Sequence, residues 1–375
     1  MSVLMSVLLA CTGSADTAAS APDVDHPAAA GPWAVGHQTD SLSDVGEAGR
    51  EVAVDLWYPV EPAVAAEAEP AVYALLGSIG LTSPMAVDGA PGAGLDAPLL
   101  VFSHGYHSIN TQSSALMEAL ASHGFVVAAP MHTGNTQADQ SDDFETAASR
   151  RVPDVAAVLD WLRSGDAPLS DQIDPEIVGV LGHSFGGMTA IGVGAGWAGA
   201  APLDEVDALL PISAVIDAEL QADERPSDSA GFTAAALATI SQPVLLLGGT
   251  ADVSVPVENN ALAFDWMTGA QSVVRADIIG ANHTHFANVC DIGNLLLEMG
   301  ITIDLWPALG AGDLVEPYAD TCAEGAFSIE EALRLQKQLA VAFFRLHLFG
   351  EADYGWWLTE EASGLEDALQ LWTRP

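Results

Sequence analysis

Short apolar runs recur along the chain between polar and glycine-rich segments. Runs of this length, bounded by turn residues, predict strands that are buried on both faces of a sheet. They are Pro98–Ser103, Gly124–Pro130, Ile177–Leu181, Ala208–Ile212, Pro243–Leu247 and Ser272–Ile279. Glu51–Val60 (EVAVDLWYPV) alternates apolar and polar residues instead, which predicts an early antiparallel strand.

Helical patterns lie between these runs. Asp154–Arg163 places Val155, Val158, Leu159 and Leu162 on one face, and Ser113–Ala121 and Ile329–Leu348 predict two further helices. Strands that alternate with helices predict an α/β fold with a mostly parallel central sheet and helices on both faces.

One of the predicted strands leads directly into a motif that carries chemistry. Ile177–Leu181 is followed by Gly-His-Ser-Phe-Gly at 182–186, the G-x-S-x-G pattern of a nucleophile elbow, and then by small apolar residues that suit a buried helix. Glycines at 182 and 186 leave room for neighbouring backbone around a sharp turn. We predict that Ser184 stands at the carboxyl edge of the sheet as a nucleophile.

A nucleophilic serine needs a base, and the base needs an orienting carboxylate. Asp252 follows the PVLLL strand on the loop Gly-Gly-Thr-Ala-Asp, and GANHTHF (280–286) follows the next strand. The order Ser, Asp, His, each after a strand, is that of an α/β-hydrolase. We assign Asp252 as the acid and His283 as the base, with His285 as the alternative base. Asp217 and Asp277 are the outside candidates for the acid.

Two backbone N–H groups are expected to bind the developing oxyanion. One belongs to Phe185, directly after the nucleophile, and the other to Tyr106, in the loop after PLLVFS. His104 is expected to brace this loop. His107 and His132 either line the pocket or lie on the surface.

A metal site is the main rival use of these histidines. His283 and His285 have an i, i+2 spacing that a zinc site can use, but no third ligand stands nearby in a recognisable pattern and H-E-x-x-H is absent from the sequence. The sequence therefore predicts no metal and no cofactor.

The net charge of the chain limits the classes of partner that it can bind. Acidic residues outnumber basic ones 51 to 10, the formal net charge is −41, and Lys337 is the sole lysine. Such a chain repels phosphate backbones and anionic lipid, which excludes nucleic-acid binding. The acidity reflects either a salty environment or only a need for solubility, and the oligomeric state is not indicated.

The N-terminus MSVLMSVLLAC resembles a bacterial lipoprotein signal over 1–11, with Cys11 as the lipidated residue, although no Lys or Arg precedes the apolar run. This predicts an exported cell-envelope protein that meets the membrane only through its anchor. With Cys11 set aside, Cys290 and Cys322 form either a disulfide or two buried free thiols.

Composition divides the rest of the chain. The Ala-, Ser- and Pro-rich residues 12–30 are expected to be a disordered tether, and 31–375 a single domain. Insertions are expected near 61–96, 218–240 and 287–326. No segment past the N-terminus has 18 uninterrupted apolar residues.

Several stretches together resemble one family. They are GPWAVG (31–36), LWYP (56–59), VFSHGY (101–106), RVPDVAAVLDWL (151–162), GHSFGG (182–187), GANHTHF (280–286) and AFFRLHLFG (342–350). This set is similar to the platelet-activating-factor acetylhydrolase-like and predicted dienelactone hydrolase group of α/β-hydrolases. The resemblance implies a serine carboxylic-ester hydrolase, and its His-x-x-F form favours His283 as the base.

The sequence thus predicts a serine esterase that acts through an acyl-enzyme on a small-molecule, lipid or polymeric ester. One alternative is a cutinase- or polyester-hydrolase-like enzyme or a lipase with the same three residues. The other is a lipid-anchored binding protein that has lost activity on a hydrolase scaffold. Acyl length and alcohol remain open.

Overall fold

A computed structural model describes residues 22–76, 79–165, 167–220, 229–364 and 367–375. Eleven strands of these residues form one sheet. They are β1 (Ala34–Leu42), β2 (Val52–Val60), β3 (Pro70–Leu76), β4 (Ile79–Asp88), β5 (Ala97–Ser103), β6 (Val126–Pro130), β7 (Ile173–His183), β8 (Ala208–Ile212), β9 (Val244–Gly249), β10 (Val273–Ile278) and β11 (Leu369–Arg374). Every predicted strand is present.

The strand order across the sheet is β11-β10-β9-β8-β7-β5-β6-β2-β1-β4-β3. The block from β10 to β6 is parallel throughout, whereas β11 and β2 pair antiparallel at its two sides. The carboxyl ends of β5, β7, β8, β9 and β10 therefore meet at one edge. This confirms the predicted α/β fold and puts the loops after these strands beside one another.

Helices cover both faces of the sheet. They are α1 (Pro62–Ala65), α2 (Ser114–Ser122), α3 (Phe144–Arg163), α4 (Phe185–Ala195), α5 (Ala234–Leu237), α6 (Glu258–Trp266), α7 (Val289–Glu298), α8 (Val315–Cys322), α9 (Ile329–Leu348) and α10 (Glu360–Ser363). Two apolar cores result. Alternate residues of β5 divide between them, with Leu99 packing in the core under α3 and α4, and Leu100 in the core under α2 and α9.

The third helix begins ten residues earlier than its pattern predicts. Pro153 lies inside it, and proline in a helix interior removes one backbone hydrogen bond, which is why the sequence favoured a start at Asp154. The structure places the start at the N-cap Asp143, whose side chain accepts from the Thr146 N–H at 2.8 Å. Because the helix starts earlier, it includes Arg151, which contacts the loop after β5.

The expected insertion at 61–96 is part of the sheet. It contains α1 and the strands β3 and β4, and β4 pairs in parallel with β1, so this segment extends the sheet beyond its predicted edge. The segment 287–326 does stand apart from the sheet, as α7, short 3-10 turns and α8. Of 218–240, residues 221–228 lie outside the described residues.

The last residues of the predicted tether 12–30 pack against the domain. The His26 ring contacts the Trp357 ring, with centroids 4.3 Å apart, and the His123 ring nitrogen Nε2 lies 3.1 Å from the Ala29 carbonyl oxygen. The signal 1–11, with Cys11, lies outside the described residues, so it stays a prediction. Within the part of the chain that the structure describes, no helix is both long and apolar enough to span a bilayer.

Candidate active site

The loop between β7 and α4 has the geometry of a nucleophile elbow. Ser184 has φ 59° and ψ −118°, a backbone conformation that residues other than glycine seldom adopt. Its N–H donates to the Ile212 carbonyl at 2.8 Å, which ties the turn to β8. Between Val178 and Gly194, Ser184 is the only residue that is not buried. The predicted nucleophile therefore lies at the carboxyl edge of the sheet with its side chain accessible.

Two glycines make room for this turn. A Cβ on Gly182 would overlap the Gly186 carbonyl oxygen, and a Cβ on Gly186 would overlap the Ser103 carbonyl group at the end of β5. The atoms in the way are backbone, so they move only if a strand moves. This confirms the role predicted for glycine at 182 and 186.

Gly186→Ala is expected to destabilise the protein by about 3 kcal/mol or more, because the added methyl group must displace backbone of β5. Gly355→Ala is the matched control, since its new Cβ would have a single neighbour, the Leu346 Cδ2 atom at 3.9 Å. Urea unfolding of both variants measures the difference. A Gly186→Ala protein as stable as the control would contradict the predicted clash.

Asp252 and His283 form a hydrogen-bonded pair. The His283 Nδ1 atom lies 2.7 Å from the Asp252 Oδ2 atom, and the other oxygen of Asp252 accepts from the N–H groups of Ser254 at 3.0 Å and Val255 at 2.7 Å. The Asp252 side chain is inaccessible, whereas the His283 side chain keeps 18% of its surface exposed. This arrangement holds the imidazole with Nε2 directed away from the carboxylate.

The electrostatics favour a charged Asp252. Burial by itself raises the pKa of this carboxyl, but the positive field of His283 and the hydrogen bonds from His283 and Val255 outweigh burial, so its pKa lies below the ordinary value. The acid is thus an anion at neutral pH and can stabilise a positive charge on His283.

Backbone hydrogen bonds join the loops that carry this pair. The Thr250 N–H donates to the Ile278 carbonyl at 3.0 Å, and the Ala251 N–H donates to the Ala281 carbonyl at 2.9 Å. The loop after β9 is thereby fastened to the loop after β10, which accounts for the contact between residues 31 positions apart.

His285 has a structural place instead. It is buried, its Nδ1 atom lies 2.9 Å from the backbone nitrogen of Asn282, and its Nε2 atom lies 3.0 Å from the Phe327 carbonyl oxygen. It completes a capping box with Asn282 at the start of the 3-10 turn His283–Phe286. Both ring nitrogens of His285 are therefore engaged by backbone atoms. The described residues hold no cluster of three or more potential metal ligands.

The outside candidates for the acid are engaged elsewhere. Asp277 pairs with Arg275 and accepts from the Asn260 side chain at 3.3 Å, and burial raises its pKa. The Asp217 carboxylate accepts from the Glu219 N–H at 2.9 Å in its own turn. Within the described part of the chain neither carboxylate is hydrogen-bonded to His283, whereas that of Asp252 is.

The loop after β5 lies against the elbow. A Cβ built on Gly105 would stand 3.6 Å from the Ser184 Cβ, so this loop and the serine are in van der Waals reach. His104 braces the loop as predicted. Its Nδ1 atom lies 2.8 Å from the Gly105 carbonyl oxygen, and its Nε2 atom accepts from the His132 backbone N–H at 3.1 Å. Phe185 opens α4, where N–H groups have no acceptor within the helix.

His132 is neither a pocket residue nor a surface residue, contrary to both predicted alternatives. It is 1% exposed and lies between the Asp154 carboxylate, 2.8 Å from Nδ1, and the Ser103 hydroxyl, 2.9 Å from Nε2. Its burial lowers its pKa to about 4. His107 does line the cavity beside the elbow.

Gln112 and His183 connect the parts of the site, and neither was predicted from the sequence to do so. The Gly105 N–H donates to the Gln112 Oε1 atom at 2.8 Å, and the Gln112 Nε2 atom lies 3.0 Å from the His183 Nδ1 atom. The His183 Nε2 atom in turn lies 2.9 Å from the His283 carbonyl oxygen. We call this chain of hydrogen bonds the positioning relay. It joins the loop after β5, the elbow and the loop of the base.

The imidazole ring of His183, in the middle of the positioning relay, stays neutral. Burial, and next the charge of His283, lower the pKa of His183 to about 3. A neutral ring accepts at Nδ1 and donates at Nε2, which matches both of its partners. The position of His183, polar at the end of an apolar strand and directly before the serine, was a signal in the sequence.

Ser184 and His283 line one cavity of about 720 Å³. Its walls include the apolar side chains of Ile109, Met188, Val215, Ile292 and Leu314. Asp313, Glu316 and Asp320 lie on its α8 side, and among the described lining residues there is no lysine or arginine. The cavity suits an apolar or neutral ligand.

A disulfide closes the segment that lines one side of this cavity. It joins Cys290 on α7 to Cys322 on α8, 32 positions apart. The predicted bridge is present, rather than two free thiols.

Removing this bridge in a Cys290→Ala/Cys322→Ala variant is expected to lower the free energy of unfolding by about 3 to 4 kcal/mol, the loop-closure value for a loop of this length. Denaturant unfolding with and without reductant measures the loss. Wild type under reductant should unfold like the variant, and the variant should not respond to reductant. Equal stability of oxidised and reduced wild type would contradict the expectation.

The fold and this geometry define the class of protein as an α/β-hydrolase with a serine at its elbow. The family model for chlorophyllase matches residues 82–252, a span that contains Ser184 and Asp252. Chlorophyllase-2 of Arabidopsis thaliana is 33% identical over 101 residues, 26% of this chain and 29% of that protein. Platelet-activating factor acetylhydrolase of Cavia porcellus is 27% identical over 134 residues, 25% of this chain and 31% of that protein. The chain thus spans less than a third of the length of these curated relatives.

A solved structure extends the likeness over most of the chain. The ferulic acid esterase from Streptomyces cinnamoneus is 26% identical, with a TM-score of 0.58, and the match covers 88% of this chain and 93% of that one. The likeness to this esterase supports an α/β-hydrolase fold over most of the chain.

Proposed function

We propose that the protein is a serine hydrolase of carboxylic esters that works through an acyl-enzyme. The observation that carries the proposal is the 2.7 Å contact between His283 Nδ1 and Asp252 Oδ2, in a cavity that His283 shares with Ser184. A serine beside an imidazole that a buried carboxylate orients is the arrangement that activates a hydroxyl as a nucleophile.

The steps follow from these positions. Ser184 Oγ attacks the ester carbonyl while His283 Nε2 takes its proton, and Asp252 stabilises the imidazolium that forms. The N–H groups of Phe185 and Tyr106 bind the oxyanion of the tetrahedral intermediate. His283 then protonates the departing alcohol, and water releases the acid by the same route. The chemistry requires no cofactor.

The lining of the cavity supports neutral esters as the substrate class. Asp313, Glu316 and Asp320 line the cavity, and its described lining residues include no lysine or arginine. A substrate with a net negative charge would therefore lie near carboxylates without a cationic partner, which is costly.

The proposal is tested with purified protein and p-nitrophenyl acetate and butyrate, together with a fluorophosphonate probe. We expect turnover of both esters and one labelled site per chain, located at Ser184 by peptide mass spectrometry. Absence of turnover together with absence of labelling would overturn the proposal and favour a silent binding protein. Choline esters and phosphocholine esters of equal acyl length then compare the charge preference.

One observation favours a second candidate, an enzyme for long or polymeric esters such as a lipase or polyester hydrolase. Exposed large apolar side chains lie in the chain between the cavity-lining residues Leu296 and Ala311, at Leu297, Met299, Ile303, Leu305 and Leu309. Such a surface can contact an insoluble substrate. Release of soluble products from a polyester film, and faster hydrolysis above the solubility limit of a long-chain ester, would support it.

We also propose export and lipidation at Cys11 on the cell-envelope surface. The disulfide supports export, since disulfides persist in oxidising compartments. Metabolic labelling with an alkyne fatty acid tests the anchor. Cys11→Ser should abolish the label, and persistence of the label in that variant would overturn the proposal.

A further inference from the structure

A buried arginine holds the loop that carries one of the proposed oxyanion donors. Arg151, on α3, is 0% exposed. Its Nη1 atom donates to the His104 carbonyl at 2.5 Å and to the Ser103 hydroxyl at 3.1 Å. Its Nη2 atom donates to the Gly105 carbonyl at 3.2 Å and to the Asn135 side chain at 2.5 Å. The guanidinium group of Arg151 thus donates to two successive carbonyl groups of the loop.

The direction of a carbonyl group fixes the direction of the next N–H group. The Gly105 C=O and the Tyr106 N–H belong to one peptide unit, and the described backbone has no cis peptide, so the two bonds point in opposite directions. Arg151 and His104 hold the carbonyl on the α3 side. The Tyr106 N–H is therefore directed to the other side, where Gly105 and Tyr106 line the cavity with Ser184.

The charge of Arg151 also lies over the side chain of Phe185, the residue that supplies the second donor. Its guanidinium carbon lies 4.7 Å from the centroid of the Phe185 ring. The nearby carboxylate of Asp154 is shared by Arg50, at 2.5 and 2.9 Å, and by His132, at 2.8 Å. Arg151 donates to neutral acceptors, and among the described residues it has no ion pair of its own to cancel its charge.

The guanidinium remains charged at neutral pH. Burial lowers the pKa of Arg151, to about 9, and this value is still two units above pH 7. A cation that binds a carbonyl oxygen polarises the whole peptide unit, which strengthens its N–H as a donor.

We propose that Arg151 is a positioning residue for the oxyanion hole: by holding the Gly105 carbonyl it aims the Tyr106 N–H at the reacting carbonyl, and its charge favours the anion formed there. This rests on the proposed ester hydrolysis. Arg151 does not touch the substrate, so its effect should appear in the transition state and not in substrate binding.

The test compares Arg151→Met, Arg151→Lys and wild type in ester hydrolysis. Loss of one oxyanion donor lowers kcat by about 100- to 1,000-fold, so a donor that is present but misdirected should cost about 10- to 100-fold in kcat. KM should stay within about 3-fold. A trifluoromethyl ketone, whose adduct with Ser184 carries an oxyanion, should lose affinity by the same factor as kcat.

Arg345 is the control for losing an arginine that holds a backbone carbonyl elsewhere in the fold. It is partly buried and paired with Glu351, donates to the His123 carbonyl at 2.9 Å and lies over the Phe349 ring at 4.2 Å. Arg345→Met should lower thermal stability and leave kcat and ketone affinity unchanged.

Arg151→Lys keeps the charge but loses the second limb that reaches Gly105, so we expect a kcat between those of wild type and Arg151→Met. If Arg151→Met does not fold, Arg151→Lys decides, and wild-type kcat with wild-type ketone affinity in the folded variant would overturn the proposal. A folded Arg151→Met at wild-type kcat would also overturn it while leaving the esterase standing. A wild type that hydrolyses no ester would instead remove the proposed function.

Discussion

Ser184→Ala and His283→Ala are each expected to lower kcat by about a million-fold, because the nucleophile and its base act as one unit. Without Oγ no acyl-enzyme forms, and without the imidazole the hydroxyl keeps its proton. The double variant should therefore be no slower than either single one. Steady-state and single-turnover kinetics with p-nitrophenyl butyrate measure all three.

His285→Ala is the matched control for the base, two positions away in the same 3-10 turn. Its ring is bound to Asn282 and Phe327, so its loss should lower thermal stability and leave most of kcat. A His285→Ala protein as inactive as His283→Ala, at unchanged stability, would move the base to His285. Full activity of Ser184→Ala would exclude the acyl-enzyme route.

Asp252→Asn is expected to lower kcat by about 10,000-fold while the protein stays folded. The amide fills the same space, but it presents an N–H group or a neutral oxygen to His283 Nδ1, and the ring loses the partner that fixed its tautomer. The N–H groups of Ser254 and Val255, at 3.0 and 2.7 Å, lose a charged acceptor. Some loss of stability is therefore expected alongside the kinetic one.

Asp277→Asn is the control for removing a buried carboxylate from this half of the sheet. It contacts Arg275 and Asn260 rather than the base. Activity should remain near that of wild type. Comparable loss in Asp252→Asn and Asp277→Asn, at matched thermal stability, would contradict the assignment of the acid. Fluorophosphonate labelling of Asp252→Asn should be slow but should still occur at Ser184.

Much of the fold was predictable because buried parallel strands leave short apolar runs. β8 was predicted to its exact bounds, and so was α9. β3 and β4 were missed because Ala, Gly and Pro dominate 61–96, and their place in the sheet depends on pairing with β1, far along the chain. The early start of α3 was missed because Pro153 breaks the local pattern.

The contact between Asp252 and His283 was predictable because the chemistry of a nucleophilic serine has a fixed order, whereas the catalytic roles of the three residues stay predictions. Ser184, Asp252 and His283 each follow a strand, and the structure places the acid against the base and both loops beside the elbow. His132 was misjudged because a histidine in a polar loop gives no sign of burial, which comes from α3 packing over it through Asp154.

The positioning relay and Arg151 could not be assigned from spacing. Gln112 meets His183 across 71 positions, and Arg151 meets Gly105 across 46. Such contacts arise from sheet topology and leave no periodic signal. A weak signal existed for Arg151: the chain has only 10 Lys and Arg residues, and this one lies on the inner side of a helix whose other buried residues, apart from Asp154, are apolar.

The bridge between Cys290 and Cys322 closes the chain between them into a covalent loop. Its two ends are held with Cα atoms 5.6 Å apart, and it lines one side of the cavity without contributing a strand to the sheet. Thr321, inside this loop, donates to the Asn282 side chain at 3.1 Å, directly before the base in the chain. The same closed loop therefore shapes the cavity and contacts the turn that carries His283, so a change of sequence in the loop is expected to alter substrate choice and the placement of the base together.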